Sequence, residues 1–239
     1  MNNTIHFIFQ GKGGIGKTFI SSLLAQYIDK KYPTTLKCFD TDQENATFTQ
    51  YTALNVEHVD VMDDNRTINQ KGFDSLIEKL FKHEGNCVVD TGSNTFSSLI
   101  AYLKEADIIE MLESDGKKVY IHAIIGGAAE LKDTSAGFVD LCNQIKAPIV
   151  LWLNEKDGST KGWELENDIA KALASDIIRG IVLLPERNKA TYGEDMKLLN
   201  TERLTLNEVL ASAKRNIVER QRIKTVFDDA FQKLDKVNW

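Results

Sequence analysis

The apolar run Ile5–Phe9 leads straight into Gly11-Lys12-Gly13-Gly14-Ile15-Gly16-Lys17-Thr18. Phe19, Leu23, Leu24, Tyr27 and Ile28 then follow at helical spacing. A strand, a G-x-x-x-x-G-K-T loop and a helix in that order constrain the fold more than any other feature of the chain. Glycines let the backbone curl until successive N–H groups point inward, where a β-carbon would obstruct them. The N-terminus of the following helix adds free donors and the positive end of its dipole. The loop Gly11, Lys12, Gly13, Gly14, Ile15, Gly16, with Phe19 just inside the helix, is therefore a candidate phosphate cradle. In it Lys17 would set an ammonium on the β- and γ-phosphates, and Thr18 would give a hydroxyl to Mg²⁺.

The rest of the chain fits that start. Strand candidates are Ile5–Phe9, Leu36–Phe39, Cys87–Val89, Val119–Ile125, Ile149–Leu153 and Ile181–Leu184. Several are apolar almost throughout, as expected of parallel strands covered on both faces. Helical spacing recurs in Phe73, Leu76, Ile77, Leu80 and Phe81, and in Leu131, Phe138, Leu141 and Ile145. This alternation predicts an α/β fold, a doubly wound and mostly parallel sheet flanked by helices. The polar stretches Lys156–Gly162 and Glu186–Asn200 are expected to be surface loops. With 239 residues, 1–239 is expected to form one domain. Its 205–239 segment would be helical and packed on the rest: Thr205-Leu206-Asn207-Glu208 is a capping box, and Ile223, Val226, Phe227, Ala230, Phe231, Leu234 and Val237 line one helix face. Such a stripe also suits a membrane surface or a partner, but docking on its own sheet is the ordinary use of the pattern.

Composition closes off other classes. No run approaches the roughly 18 apolar residues of a membrane span, and the start Met1-Asn2-Asn3-Thr4 lacks the charged region of a signal peptide. Cys38, Cys87 and Cys142 are odd in number, far apart and set in apolar segments, which reads as buried thiols in a reducing, cytoplasmic setting. The 29 basic and 35 acidic residues give a net charge of −6, unlike a nucleic-acid coat protein. Lys214, Arg215, Arg220, Arg222 and Lys224 nevertheless carry a local +4 against the single acid Glu219, leaving −10 elsewhere. That stretch could touch DNA phosphates, although a solvated helix face is the preferred reading because flanking acids would repel DNA.

Two further strand ends carry acids. Phe39-Asp40-Thr41-Asp42 puts Asp40 and Asp42 on one side of an extended end, where open α/β sheets bind ligands. Asn86-Cys87-Val88-Val89-Asp90-Thr91-Gly92 has the Walker B form. There Asp90 would hold a magnesium-bound water and Gly92 would let the next loop approach the γ-phosphate. Trp152-Leu153-Asn154-Glu155-Lys156-Asp157 nearly matches a guanine-reading N-K-x-D, but Glu155 stands where lysine is needed.

The second lysine, Lys12, makes the loop read Lys-Gly-Gly-Ile-Gly-Lys-Thr, which resembles the deviant Walker A box of the MinD/ParA group of P-loop ATPases. The resemblance implies a homodimer around two ATP molecules, with Lys12 crossing to the partner's nucleotide. It implies that Asp42 positions the attacking water while Asp40 supports magnesium and the loop. It also implies that Asn154 reads the adenine edge and that Pro185 packs against the base. Many relatives have a proline after the second aspartate, where this chain has Gln43. Within the group the chain resembles the TraL proteins of conjugative plasmids. The resemblance lies in Gln10–Ile20, Asp40-Thr41-Asp42, Asn45-Ala46-Thr47-Phe48, Trp152-Leu153-Asn154, Thr191-Tyr192-Gly193, Glu202-Arg203-Leu204-Thr205 and Arg220-Gln221-Arg222. A role in conjugal transfer with an unidentified protein partner is what this implies.

The expectation is thus a Mg²⁺-dependent ATP-binding protein and slow, partner-stimulated ATPase whose dimer acts as a switch. Two alternatives stay open. One is a nucleotide-binding adaptor that does not hydrolyse; the other is a small-molecule phosphotransferase or ligase on the same fold, which would need a substrate pocket beside the γ-phosphate.

Overall fold

The computed structural model describes the chain except residues 33, 34, 64, 66, 166–168, 170–172, 174 and 175. Seven strands form one parallel sheet: β1 (Thr4–Phe9), β2 (Leu36–Asp40), β3 (Glu57–His58), β4 (Asn86–Asp90), β5 (Lys118–Gly126), β6 (Ile149–Asn154) and β7 (Ile178–Leu184), in the order β3-β2-β4-β1-β5-β6-β7. All six strands expected from the sequence are present, each extended by one to three residues. The two-residue edge strand β3 is exposed and too short to leave a hydropathy signal.

Alternation along each strand splits the core between two faces. Ile5, Phe7 and Phe9 of β1 join Val89, Ile121, Ala123, Ile125, Leu151 and Leu153 on one side. They are covered by α2 (Phe73–Lys82), α3 (Phe96–Glu105), α4 (Ile108–Ser114) and α5 (Leu131–Gln144). On the other side Ile8, Cys38, Val88, Ile124, Val150 and Trp152 pack under α1 (Lys17–Lys31), α6 (Lys189–Glu202), α7 (Leu206–Ala211) and α8 (Ile217–Leu234). Cys38 and Cys87 are buried and Cys142 is partly buried. All three are free thiols, and burial pushes each above the ordinary thiol range, Cys87 to about 12 and Cys142 to about 11.

One expectation is overturned. Glu186–Asn200 is not a loop, because most of it lies in α6, started by Asn188, whose side chain accepts from the Ala190 N–H. This helix has no apolar stripe to read. It docks through Leu199 and through Asp195, a buried carboxylate paired with Arg222 of α8. Lys156–Gly162 does form turns. The stripe of α8 faces inward as expected, with Ile223, Val226, Phe227, Ala230, Phe231 and Leu234 all buried; Val237 is buried too but lies past the helix end, in the turn that closes the chain, and not on the helix face. Both Thr205–Glu208 and Asn216–Glu219 form capping boxes. The last residues seal the sheet. Asn238 donates to the Arg179 carbonyl at 2.9 Å, and a β-carbon on Gly180 would come within 3.0 Å of Val237. Among the described residues no helix is long and apolar enough to cross a membrane.

A polar chain runs through the second face. Trp152 Nε1 can only donate, and it does so to His122 Nδ1 at 2.9 Å. His122 must then donate from Nε2 to His6 Nδ1 (2.9 Å), and His6 from Nε2 to Thr4 Oγ1 (2.8 Å), which passes its own proton to Asn86 Oδ1 (2.7 Å). Every ring nitrogen is used, so neither histidine has room for a second proton. Burial holds both far below the usual imidazole range, His122 at about 3. In the unfolded chain both would protonate below about pH 6.5. Stability should therefore fall as pH drops below that value, by about 1.4 kcal/mol per pH unit for each histidine. Urea unfolding at pH 7, 6 and 5 measures the slope, and imidazole ¹⁵N shifts of the native protein should stay neutral in pattern at pH 5. A native-state titration of either ring near pH 6.5 would contradict the chain as drawn.

Candidate functional site

The loop between β1 and α1 is seated by its neighbours. Gln10 Nε2 donates to the Ile124 carbonyl at 2.6 Å, and its Oε1 accepts from the Lys12 N–H at 3.3 Å. Asn154, at the end of β6, donates from Nδ2 to the Ile15 carbonyl at 2.9 Å. Ile15 itself packs onto Gly126, where a β-carbon would stand 2.3 Å from its side chain. Gly14 and Gly16 have φ of 72° and 97°, the left-handed region that makes glycine the residue of choice there. The curl brings Lys17 Nζ back onto the Lys12 carbonyl at 3.0 Å. Burial lowers the Lys17 ammonium, against the pull of Asp90 and Asp42.

Beneath the loop, Asp90 is buried at the end of β4. Its Oδ2 accepts from Thr18 Oγ1 at 2.7 Å and its Oδ1 from Ser21 Oγ at 2.8 Å, while Thr18 also meets Thr47 Oγ1 at 3.0 Å. Burial, then the neighbouring Asp40 carboxylate, raises Asp90 to about 7. Asp40 lies opposite Asp90 in the β2–β4 register. Burial raises it too, although it accepts from the backbone N–H groups of Asp42 (2.9 Å), Phe48 (2.9 Å) and Thr49 (3.3 Å). Asp40 thus braces the 42–49 loop. Asp42 Oδ1 turns that loop by accepting from Glu44 N–H and Asn45 N–H, both at 3.0 Å. A β-carbon on Gly92 would fall 3.1 Å from Asp42, so the glycine is what lets the two loops meet.

These groups open into one cavity of about 1050 Å³. Gly13, Gly14, Gly16, Lys17, Thr18, Phe19, Asp42, Asn154 and Pro185 line it. Asp90 lies behind Thr18, and Gly11 lies against Phe96. Lys12 points elsewhere: its Nζ pairs with Glu130 at 2.8 Å and Asp133 at 3.8 Å, with 42% of the side chain exposed. Ser21 and Arg187 join the site although the phosphate-loop motif does not name them, and so does the α6 wall of the cavity, which includes Tyr192, Met196 and Asn200. Ser21 was legible one helical turn beyond Lys17; the α6 wall was not, because its segment has no periodic pattern. Glu155, next to Asn154, has a local task, accepting from Thr160 N–H at 2.9 Å and from Glu186 N–H at 3.4 Å.

A metal would meet hard oxygen donors in Thr18 and Asp90, which suits Mg²⁺. Among the described residues no group of three or more His, Cys, Asp or Glu could hold an ion alone. That donor set fits an ion completed by phosphate and water.

Strand order, phosphate loop and buried acid define a P-loop NTPase fold of the MinD/ParA kind. Solved structures agree in fold: MinD of Pyrococcus horikoshii OT3 complexed with Mg-ADP (TM-score 0.56, 15% identity, 98% of this chain and 96% of that one) and a ParA family ATPase of Chlorobium tepidum TLS (TM-score 0.56, 14% identity, 95% and 98%). No protein-family model matches the chain. Two Escherichia coli proteins named TraL are 36% and 35% identical to it over 235 residues, covering 97% of both chains in each case. The chain belongs to the TraL family.

Asp90 is a charge kept at a cost to the empty fold. Asp90→Asn should raise the stability of the nucleotide-free protein at pH 8, by up to roughly 4 kcal/mol from its displaced pKa. Thermal unfolding at pH 8 checks this, and a lower Tm for the variant would mean that its charge is already compensated.

Proposed function

We propose that this protein binds ATP with Mg²⁺ and hydrolyses it slowly, as a nucleotide-driven homodimer that switches a partner in plasmid conjugal transfer. One observation carries the reading. A phosphate loop with Lys17 folded onto its own backbone opens on the same cavity as Thr18, Asp42, Asn154 and Pro185, with Asp90 just behind. The Mg-ADP in the related MinD fold supports the nucleotide class, and TraL membership supports the setting.

In this reading Lys17 leaves the Lys12 carbonyl for the β- and γ-phosphates, joining the loop N–H groups in neutralising charge. Thr18 and Asp90 would hold Mg²⁺, Thr18 directly and Asp90 through water. When bound, the ion offsets negative charge on the terminal phosphates. Asp42, turned by the N–H groups of residues 44 and 45, orients water for in-line attack. Asn154 and Pro185 face the base. Lys12 reaches the partner's nucleotide, which requires that its ion pair with Glu130 open first.

The test is sizing with and without ATP–Mg²⁺, alongside phosphate release. Lys17→Ala should lower ATP affinity at least tenfold, as expected for a charge-assisted contact; unchanged affinity removes the phosphate-loop assignment. Asp42→Ala should keep ATP binding, lose turnover and accumulate the dimer. Persistent turnover would move the water-orienting role to another residue. Glu130→Gln should shift dimerisation to lower ATP concentration, whereas Lys12→Ala should abolish nucleotide-dependent dimerisation. A wild-type protein that binds ATP, dimerises and releases no phosphate would instead be a non-hydrolysing adaptor.

The DNA-binding alternative loses support. Arg215 is 6% exposed and pairs with Glu202 at 2.6 Å, Arg222 pairs with Asp195, Lys224 pairs with Asp228, and Arg220 donates to the Ser212 carbonyl. Four of the five cations read as a local +4 already have partners within the fold.

A further inference from the structure

Resting on the nucleotide reading, we propose that Arg203 grips the phosphate chain of the bound nucleoside polyphosphate in cis, from the turn between α6 and α7. Arg203 lines the same cavity as Lys17, Thr18 and Phe19. The other cations on its α6 side are already paired: Arg187 with Asp229, Lys189 with Glu186 at 3.7 Å and Lys197 with Glu194 at 4.0 Å. Arg203 differs. Its Nε is buried and has no hydrogen-bond partner among the described residues, while another part of the guanidinium lies against the Tyr51 hydroxyl. A guanidinium with an unfilled donor in a cavity is a site for an oxyanion, and its planar fork suits phosphate.

The backbone supplies a second, independent observation. Arg203 ends α6 with φ 53° and ψ 45°. Helix ends often take this left-handed conformation, but with glycine or asparagine. Among the described residues the other non-glycine positions with positive φ are Asn3, Asn55, Asp107 and Ala128. A long branched-headed side chain at such a position is unfavourable unless the side chain itself is needed. The turn aims it well: Leu206 N–H, three residues on, is held by Gln26 Oε1 of α1 at 2.7 Å, so the α6–α7 turn is anchored on the helix that begins at Lys17. Burial raises the Tyr51 hydroxyl while Arg203 pulls it down and Asp90 pushes it up, so guanidinium and buried acid act on one neighbourhood. Arg203 would thus face the loop's N–H groups from the opposite side of the phosphates, and it would favour polyphosphate over nucleoside.

Arg203→Gly separates binding from backbone strain, because glycine suits the left-handed turn while the whole side chain, guanidinium included, is removed. The probes are ATP, ADP and adenosine, titrated with Mg²⁺ present, and thermal unfolding without ligand. The expected result is a loss of roughly 10- to 100-fold in ATP and ADP affinity, as for a charge-assisted contact, with adenosine binding unchanged and Tm equal or higher. Arg203→Lys should recover part of the loss. ATP binding by Arg203→Gly equal to the wild type overturns the proposal and leaves the nucleotide reading standing. A lower Tm with equal losses for adenosine and ATP also overturns it, making the side chain structural. A wild-type protein that binds none of the probes overturns both readings.

Discussion

The hydrogen bonds from Thr18 and Ser21 to Asp90 are the contact on which the rest of the site depends. They join the first turn of α1 to the end of β4, and so fix the phosphate loop between them. An uncompensated carboxylate at that depth would be costly, and two hydroxyls cannot fully replace its water. Burial therefore pushes its pKa up to about 7, with Asp40 adding repulsion from across the sheet. A site of this kind is prepared for positive charge before any arrives.

Around that contact the fold divides its work. The α2–α5 face packs mainly through apolar side chains, with ion pairs such as Lys79–Glu57 at its margin. On the α1 face, the helices after β7 mix apolar packing with inward ion pairs: Arg222 with Asp195, Arg215 with Glu202, Arg187 with Asp229. Half-buried pairs of this sort add geometric definition more than stability. They hold α6 as a wall of the cavity, opposite the phosphate loop. The C-terminal tail supports the same side, since Trp239 meets His6 and Tyr120 edge-on and His122 at a tilt.

Much of this was legible in the residues. A continuous apolar run such as Ile149–Leu153 has few options besides a buried strand, and the capping box at Thr205 announces its helix locally. The loop from Gly11 to Thr18 is equally local, since its chemistry needs glycines and a lysine at set spacing. What escaped reading lacks a local signal. Helix α6 is defined by where Asp195 and Leu199 happen to find partners, and β3 by two exposed residues at an edge. Asp40 and Asp42 look equivalent in the chain. Only the folded loop commits Asp40 to the N–H groups of residues 42, 48 and 49.

From the chain alone come a parallel α/β sheet, a glycine-rich P-loop at its first strand end, and acids at two more. Those follow from short-range rules of periodicity and backbone freedom. Tertiary structure alone decided the present partners of the charges. Lys12 rests on Glu130 rather than pointing outward unpaired, the basic C-terminal run turns inward, and Arg203 is left with a buried donor unfilled. Charge pairing depends on which helices come within a few ångströms of each other, and spacing along the chain carries no record of that.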